Sequence, residues 1–113
     1  MTNKGIQSSK LIPGKLYILH GNPSTNSGAW PAYLNRPELN KTSKLIPLYP
    51  LEPFVFLERL LSDYRYSDTD PMYDYKILTC NGVLCWLSLH DDDLKILGIY
   101  FREYRIEDFE ENL

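Results

Sequence analysis

The chain has 113 residues and a mass of 13.2 kDa, which fits one domain with one modest core and argues against two independent cores. Its 43% hydrophobic and 24% charged residues are ordinary for a globular protein and exclude wholesale disorder. The net charge of −3 hides an asymmetry: residues 1–50 carry six bases against one acid, a net of +5, while residues 51–113 carry six bases against fourteen acids, a net of −8.

Residues 1–10 read as a polar N-terminal arm with no apolar core of the kind a signal peptide needs, and no run approaches the ~20 apolar residues of a membrane span. A cytoplasmic protein with no membrane partner is expected. The turn residues Pro13-Gly14 lead into a first strand, Lys15–Leu19. From His20 to about Glu52 the chain reads as a long loop, with Trp30, Tyr33 and Leu34 as its anchors. Pro47, Pro50 and Pro53 recur at every third position, the repeat of polyproline II. Such a segment can lie as a strap over the domain's own aromatics, the preferred reading, or dock on a partner's aromatic groove.

Phe54 to about Leu60 is the second expected strand, and Ser62–Asp74, with four aspartates and a proline, a mobile loop. Strands three, Tyr75–Cys80, and four, Val83–Ser88, flank Asn81-Gly82, a dipeptide suited to a two-residue type I′ turn because both central residues need positive φ. That turn places Cys80 opposite Val83, Leu78 opposite Cys85 and Ile77 opposite Trp86. Cys80 and Cys85 then share a face as diagonal neighbours at a Cβ separation of about 6–8 Å, too far for a disulfide, so two free and mostly buried thiols are expected. In this register neither face of the hairpin is polar, and both must be covered. Leu89–Leu94 reads as a short 3₁₀ turn, Lys95–Leu97 as strand five, and Gly98 as a bend before Ile99-Tyr100-Phe101. The acidic tail, residues 102–113, spaces Ile106, Phe109 and Leu113 for one face of a short helix.

This order of elements resembles a Src-homology-3-like barrel, and the residues are similar to a pattern in small bacterial and bacteriophage proteins of that type. Pro13-Gly14-Lys15-Leu16-Tyr17 matches the start of strand one, and Asn81-Gly82, Trp86-Leu87 and Asp93-Leu94 match the hairpin and its exit. The resemblance covers about half the chain and implies an all-β, five-stranded barrel over residues 11–101 that binds peptides, nucleic acids or sister subunits.

Catalytic and metal chemistry find little footing. His20 and His90 fall on separate elements, and His90-Asp91-Asp92-Asp93 has the residues of a turn cap, since consecutive aspartates point in different directions. Asp68, Asp70 and Asp74 lack the glycine and terminal Glu of a calcium loop. There is no phosphate loop or dinucleotide fingerprint, and neither cysteine has a base beside it in sequence. No cofactor, metal or catalytic residue is expected, and an enzyme is the last of three readings. The first is a non-enzymatic module acting through protein contacts, with itself as a homo-oligomer before other partners, and with Trp30, Tyr33, Tyr49 and Trp86 as the contact surface. The second is nucleic-acid binding by the basic N-terminal half, which a pI near 5.3 does not favour.

Overall fold

Segments of this chain rich in aromatic and β-branched residues pair into one antiparallel sheet. The structure, a computed structural model, describes residues 6, 10–21, 28–36, 44–62, 72–90 and 99–105. Its strands are β1 (Leu16–His20), β2 (Trp30–Tyr33), β3 (Leu45–Leu48), β4 (Phe54–Leu61), β5 (Met72–Thr79), β6 (Leu84–His90) and β7 (Tyr100–Glu103), with no α-helix among the described residues. They lie in the order β3-β2-β6-β5-β4-β1-β7 as an open, curled half-barrel. The protein is therefore mainly β, as the sequence indicates, with seven strands among the described residues where five are expected.

The inside of the curl holds the core. Tyr17 and Phe54 face one another across β1 and β4, Ile77 and Cys85 across β5 and β6, and Ala32 and Leu87 across β2 and β6, all of them buried. Leu57 is an extra residue in β4, between the Phe56–Ile77 and Glu58–Lys76 pairs, and such a bulge bends a strand and aids curling.

Two of the seven strands arise from the segment read as a long loop. Trp30–Tyr33 and Leu45–Leu48 pair along their whole length, with Pro31 opposite Pro47. Because the Leu34 N–H donates to the Lys44 carbonyl, alternation puts the backbone groups of residues 32 and 46 between the two strands and those of 31 and 47 outside. Neither proline interrupts the β2–β3 ladder. Pro31 has no N–H to offer β6, where pairing covers only Ala32–Leu87 and Tyr33–Trp86, and Pro47 faces the open edge of the sheet. The residues expected to form a polyproline strap are thus an edge strand, Leu45–Leu48, followed by a turn. In that turn the Glu52 N–H donates to the Tyr49 carbonyl at 3.2 Å, and Leu51 has φ 67°, the left-handed conformation that the third position of a type II turn demands. Ile12-Pro13-Gly14-Lys15 closes in the same way, with Gly14 in the equivalent place.

The Asn81-Gly82 hairpin forms, but with a different turn. The Gly82 N–H donates to the Thr79 carbonyl and the Thr79 N–H to the Val83 carbonyl, so the loop has three residues, Cys80-Asn81-Gly82. Gly82 takes φ 81°, whereas Asn81 does not adopt positive φ, so the turn has the features of a type I turn followed by a glycine bulge. One extra loop residue moves the register by one. Ile77 lies opposite Cys85 and not Trp86, and Leu78 lies opposite Leu84. Cys80 and Cys85 do not share a face: both are free thiols, but Cys80 is exposed in the turn and Cys85 is buried in the core.

Other boundaries shift as well. Ser62 and Asp74, expected in a mobile loop, are both buried at strand ends. In the N-terminal arm, the Ile6 N–H donates to the Phe101 carbonyl at 2.8 Å, and β7 carries the sheet through Glu103 into the segment read as the tail. The expected strand at Lys95–Leu97 and the amphipathic positions Ile106, Phe109 and Leu113 lie outside the described residues.

Candidate functional site

The corrected register separates the two faces of the sheet by chemistry. On the face opposite the core, Leu16 pairs with Val55, Val55 with Leu78, and Leu78 with Leu84. Four aliphatic side chains therefore form one row across β1, β4, β5 and β6, about 14 Å long at the usual strand spacing. The ends of the row are open, Leu16 being 44% and Leu84 49% exposed, and Val55 and Leu78 between them are half-buried. Beyond Leu16 the row continues to half-buried Tyr104, whose N–H donates to the Leu16 carbonyl.

One register step along the strands, the same face becomes charged and aromatic. Glu58 pairs with Lys76, Lys76 with Trp86, and Trp86 with Tyr33. The Lys76 ammonium lies 5.9 Å and the Arg36 guanidinium carbon 5.7 Å from the centre of the Trp86 ring, close enough for cation–π attraction.

A further step along lies a buried ion pair. Asp74 has no exposed surface; Arg36 Nε donates to its Oδ2 at 3.0 Å, and the Ser88 hydroxyl, directly opposite on β6, donates to its Oδ1 at 2.7 Å. Arg36 Nη2 also donates to the Leu61 carbonyl at 2.9 Å. Arg36 thereby ties the end of the β2 segment to β4, β5 and β6, and each carboxylate oxygen accepts a hydrogen bond, which such burial requires. Asp74 thus serves as the buried anion of a structural ion pair; Asp68 and Asp70 lie outside the described residues. Among the described residues no group of three or more His, Cys, Asp or Glu side chains could hold a metal. His20 is stacked on Tyr100 with ring centres 4.8 Å apart, and Asp91–Asp93 lie outside the described residues.

The four aromatics read as a contact surface do not stay together. Tyr33 and Trp86 are direct register partners on the outer face. Tyr49 is exposed beyond the end of β3, and Trp30 is 4% exposed in the core with its indole nitrogen lacking a hydrogen-bond partner. Trp30 is therefore removed from the surface. The row Leu16–Val55–Leu78–Leu84 was missed because a two-residue turn assigns Leu78 and Leu84 to opposite faces; the Thr79-to-Val83 closure puts them side by side.

Both sheet edges are protected among the described residues. Pro47 blunts the β3 edge, and Ile6 occupies the outward-facing carbonyl of Phe101 on β7. Burial pushes the Cys85 thiol up to about 11, so at neutral pH it is the unreactive protonated form, as expected of a core cysteine. No helix among the described residues is long and apolar enough to cross a membrane. No family model, curated protein or solved structure matches this chain.

Proposed function

We propose that this chain is a small non-enzymatic β-module that works through protein contacts made by the outer face of its sheet, with a second copy of itself as the first partner. The observation that carries the reading is the row Leu16–Val55–Leu78–Leu84, aliphatic across four adjacent strands and open at both ends. A contiguous apolar stripe on the outside of a sheet is the kind of surface that marks a contact site. The test is light scattering of the wild type beside a Leu16→Lys/Leu84→Lys variant at tens of micromolar. A dimeric wild type and a folded monomeric variant are the expected pair; a wild type that stays monomeric there and on concentration into the hundreds of micromolar refutes self-association.

We also read the half-barrel as an elaborated Src-homology-3-like barrel. Without β2 and β3 the remaining strands run β6-β5-β4-β1-β7, a three-strand meander flanked by the first and last strands, which is the order expected of that architecture. On this reading β2 and β3 are a hairpin grown in the first loop.

A second functional reading, nucleic-acid binding, draws on Tyr33 and Trp86 side by side with Arg36 and Lys76 around the indole. Stacking platforms for single strands combine aromatics and cations in this way. Titration with fluorescent single-stranded oligonucleotides at low salt decides it, with salt-sensitive binding lost in Trp86→Ala supporting the reading and no binding eliminating it.

A further inference from the structure

The outer face carries a second pattern that fixes how two copies meet. Glu58 on β4 and Lys76 on β5 are register partners beside the aliphatic row, one register step from Val55 and Leu78, which also pair across β4 and β5. Both steps are therefore divided by the same line, which runs between β4 and β5 parallel to the strands. A two-fold axis along that line, lying in the plane between two facing sheets, sets β4 of one copy over β5 of the other. Val55 then meets the second copy's Leu78, Leu16 meets its Leu84, and Glu58 meets its Lys76, each contact occurring twice as an isologous interface requires. A two-fold axis along the row itself would instead put the Lys76 step of one copy over the Cys80 turn of the other, with no opposite charge to meet. Charge complementarity selects the first arrangement.

The alternative of edge-to-edge pairing is disfavoured, since among the described residues Pro47 blunts the β3 edge and Ile6 bridges to Phe101 on the β7 edge. The axis also falls near the middle of the strand order, where a curled sheet stands furthest out toward a second copy. Contact there is carried by Val55, Leu78, Glu58 and Lys76, and the more exposed Leu16 and Leu84 close the interface at its flanks.

We propose that the chain forms a face-to-face dimer about a two-fold axis between β4 and β5, in which Glu58 of each copy pairs with Lys76 of the other. The proposal rests on the self-association reading above and adds its geometry. Glu58 and Lys76 act here as specificity-determining residues for a second copy of this chain.

The test is a charge-swap set in the full chain: Glu58→Lys, Lys76→Glu, and the two single variants mixed, with dimer dissociation constants from sedimentation equilibrium. In either single variant all four facing charges have one sign, so dimerisation weakens by about tenfold or more. In the mixture each copy supplies the sign the other lacks, and a one-to-one heterodimer forms with affinity near that of the wild type. Rebalancing of the intramolecular Glu58–Lys76 neighbour pair cannot produce that recovery, because neither chain in the mixture has changed. Circular dichroism and thermal melts of the single variants check that they fold; Glu58→Gln and Lys76→Gln, which remove charge without reversing it, repeat the comparison should either reversal fail to fold. Those neutral variants are expected to weaken the dimer less, each by a few-fold. A dimeric wild type with unchanged single variants, or a mixture no heavier than its components, overturns the two-fold placement and leaves self-association standing. A monomeric wild type overturns both.

Discussion

Both faces of this sheet carry aliphatic side chains, and these do different things. Leu87 and Ile77 point into the curl and are fully buried, whereas Leu84 and Leu78, neighbours of the same hairpin, point out and are open or half-open. Hydrophobicity alone does not distinguish them; the curl of the sheet does, by enclosing one face. Inner aliphatics are spent on stability, whereas the outer row Leu16–Val55–Leu78–Leu84 stays open or half-open, although Ile18, the next outward residue of β1, is buried.

The sharpest way to break this comparison is to truncate one leucine on each face. Leu87→Ala is expected to destabilise the monomer by about 3 kcal/mol, as lost burial plus a cavity usually does. Leu84→Ala should cost less than about 0.5 kcal/mol in the monomer. Urea unfolding at low concentration, where a dimer adds no stability, measures both, and equal losses would contradict the assignment of faces.

The ion pair under Arg36 refines the picture, since it shows where the outer face is itself structural. Arg36→Met leaves the buried Asp74 carboxylate with Ser88 as its one hydrogen-bond donor among the described residues, and a loss of about 3 kcal/mol is expected. Ser88→Ala removes the hydroxyl donor alone and should cost about 1–2 kcal/mol. If Arg36→Met were neutral, Arg36 would not be joining β2 to the meander.

The cysteines extend the contrast to reactivity. Exposed Cys80 should be alkylated in the native protein while Cys85 is protected, and peptide mapping after brief labelling checks it. Burial raises Cys85 from 9.0 to about 11. The unfolded thiol therefore loses its proton first as pH rises, and stability falls through the window between those values. Cys85→Ala should flatten that decline in pH-dependent melts.

A smaller effect compares two turns of the same kind. Gly14 and Leu51 hold equivalent places after Pro13 and Pro50, but only glycine takes positive φ without steric cost. Leu51→Gly should stabilise the protein by about 1 kcal/mol in urea, and destabilisation would show that the packing of the exposed Leu51 side chain matters more than its backbone strain.

How much of this was legible follows from where each signal resides. The strands Leu16–His20 and Phe54–Leu61 announce themselves by aromatic and aliphatic runs close to their observed limits, whereas Met72–Thr79 begins three residues before the expected Tyr75, because its acidic start reads as loop. Trp30–Tyr33 and Leu45–Leu48 do not, because each is four residues long and contains a proline, and only pairing reveals that Pro31 and Pro47 occupy positions where no ladder bond between these strands is needed. Asn81-Gly82 announces a hairpin, but two- and three-residue loops both accept it, and one residue of difference exchanges the faces of an entire strand. The Leu16–Val55–Leu78–Leu84 row depends on that register and on a cross-strand pairing of residues up to 39 positions apart in sequence for Leu16 and Val55. Asp74 looked like one more acid in an acidic loop; its partner Arg36 is 38 residues away.

The central claim, that the outer face is a self-contact surface, is tested most directly by the molar mass of the wild-type chain across a concentration series in sedimentation equilibrium. The account predicts a reversible rise from 13.2 kDa toward twice that mass, with the transition displaced to higher concentration by Leu84→Lys. A mass that stays at 13.2 kDa into the hundreds of micromolar would contradict it.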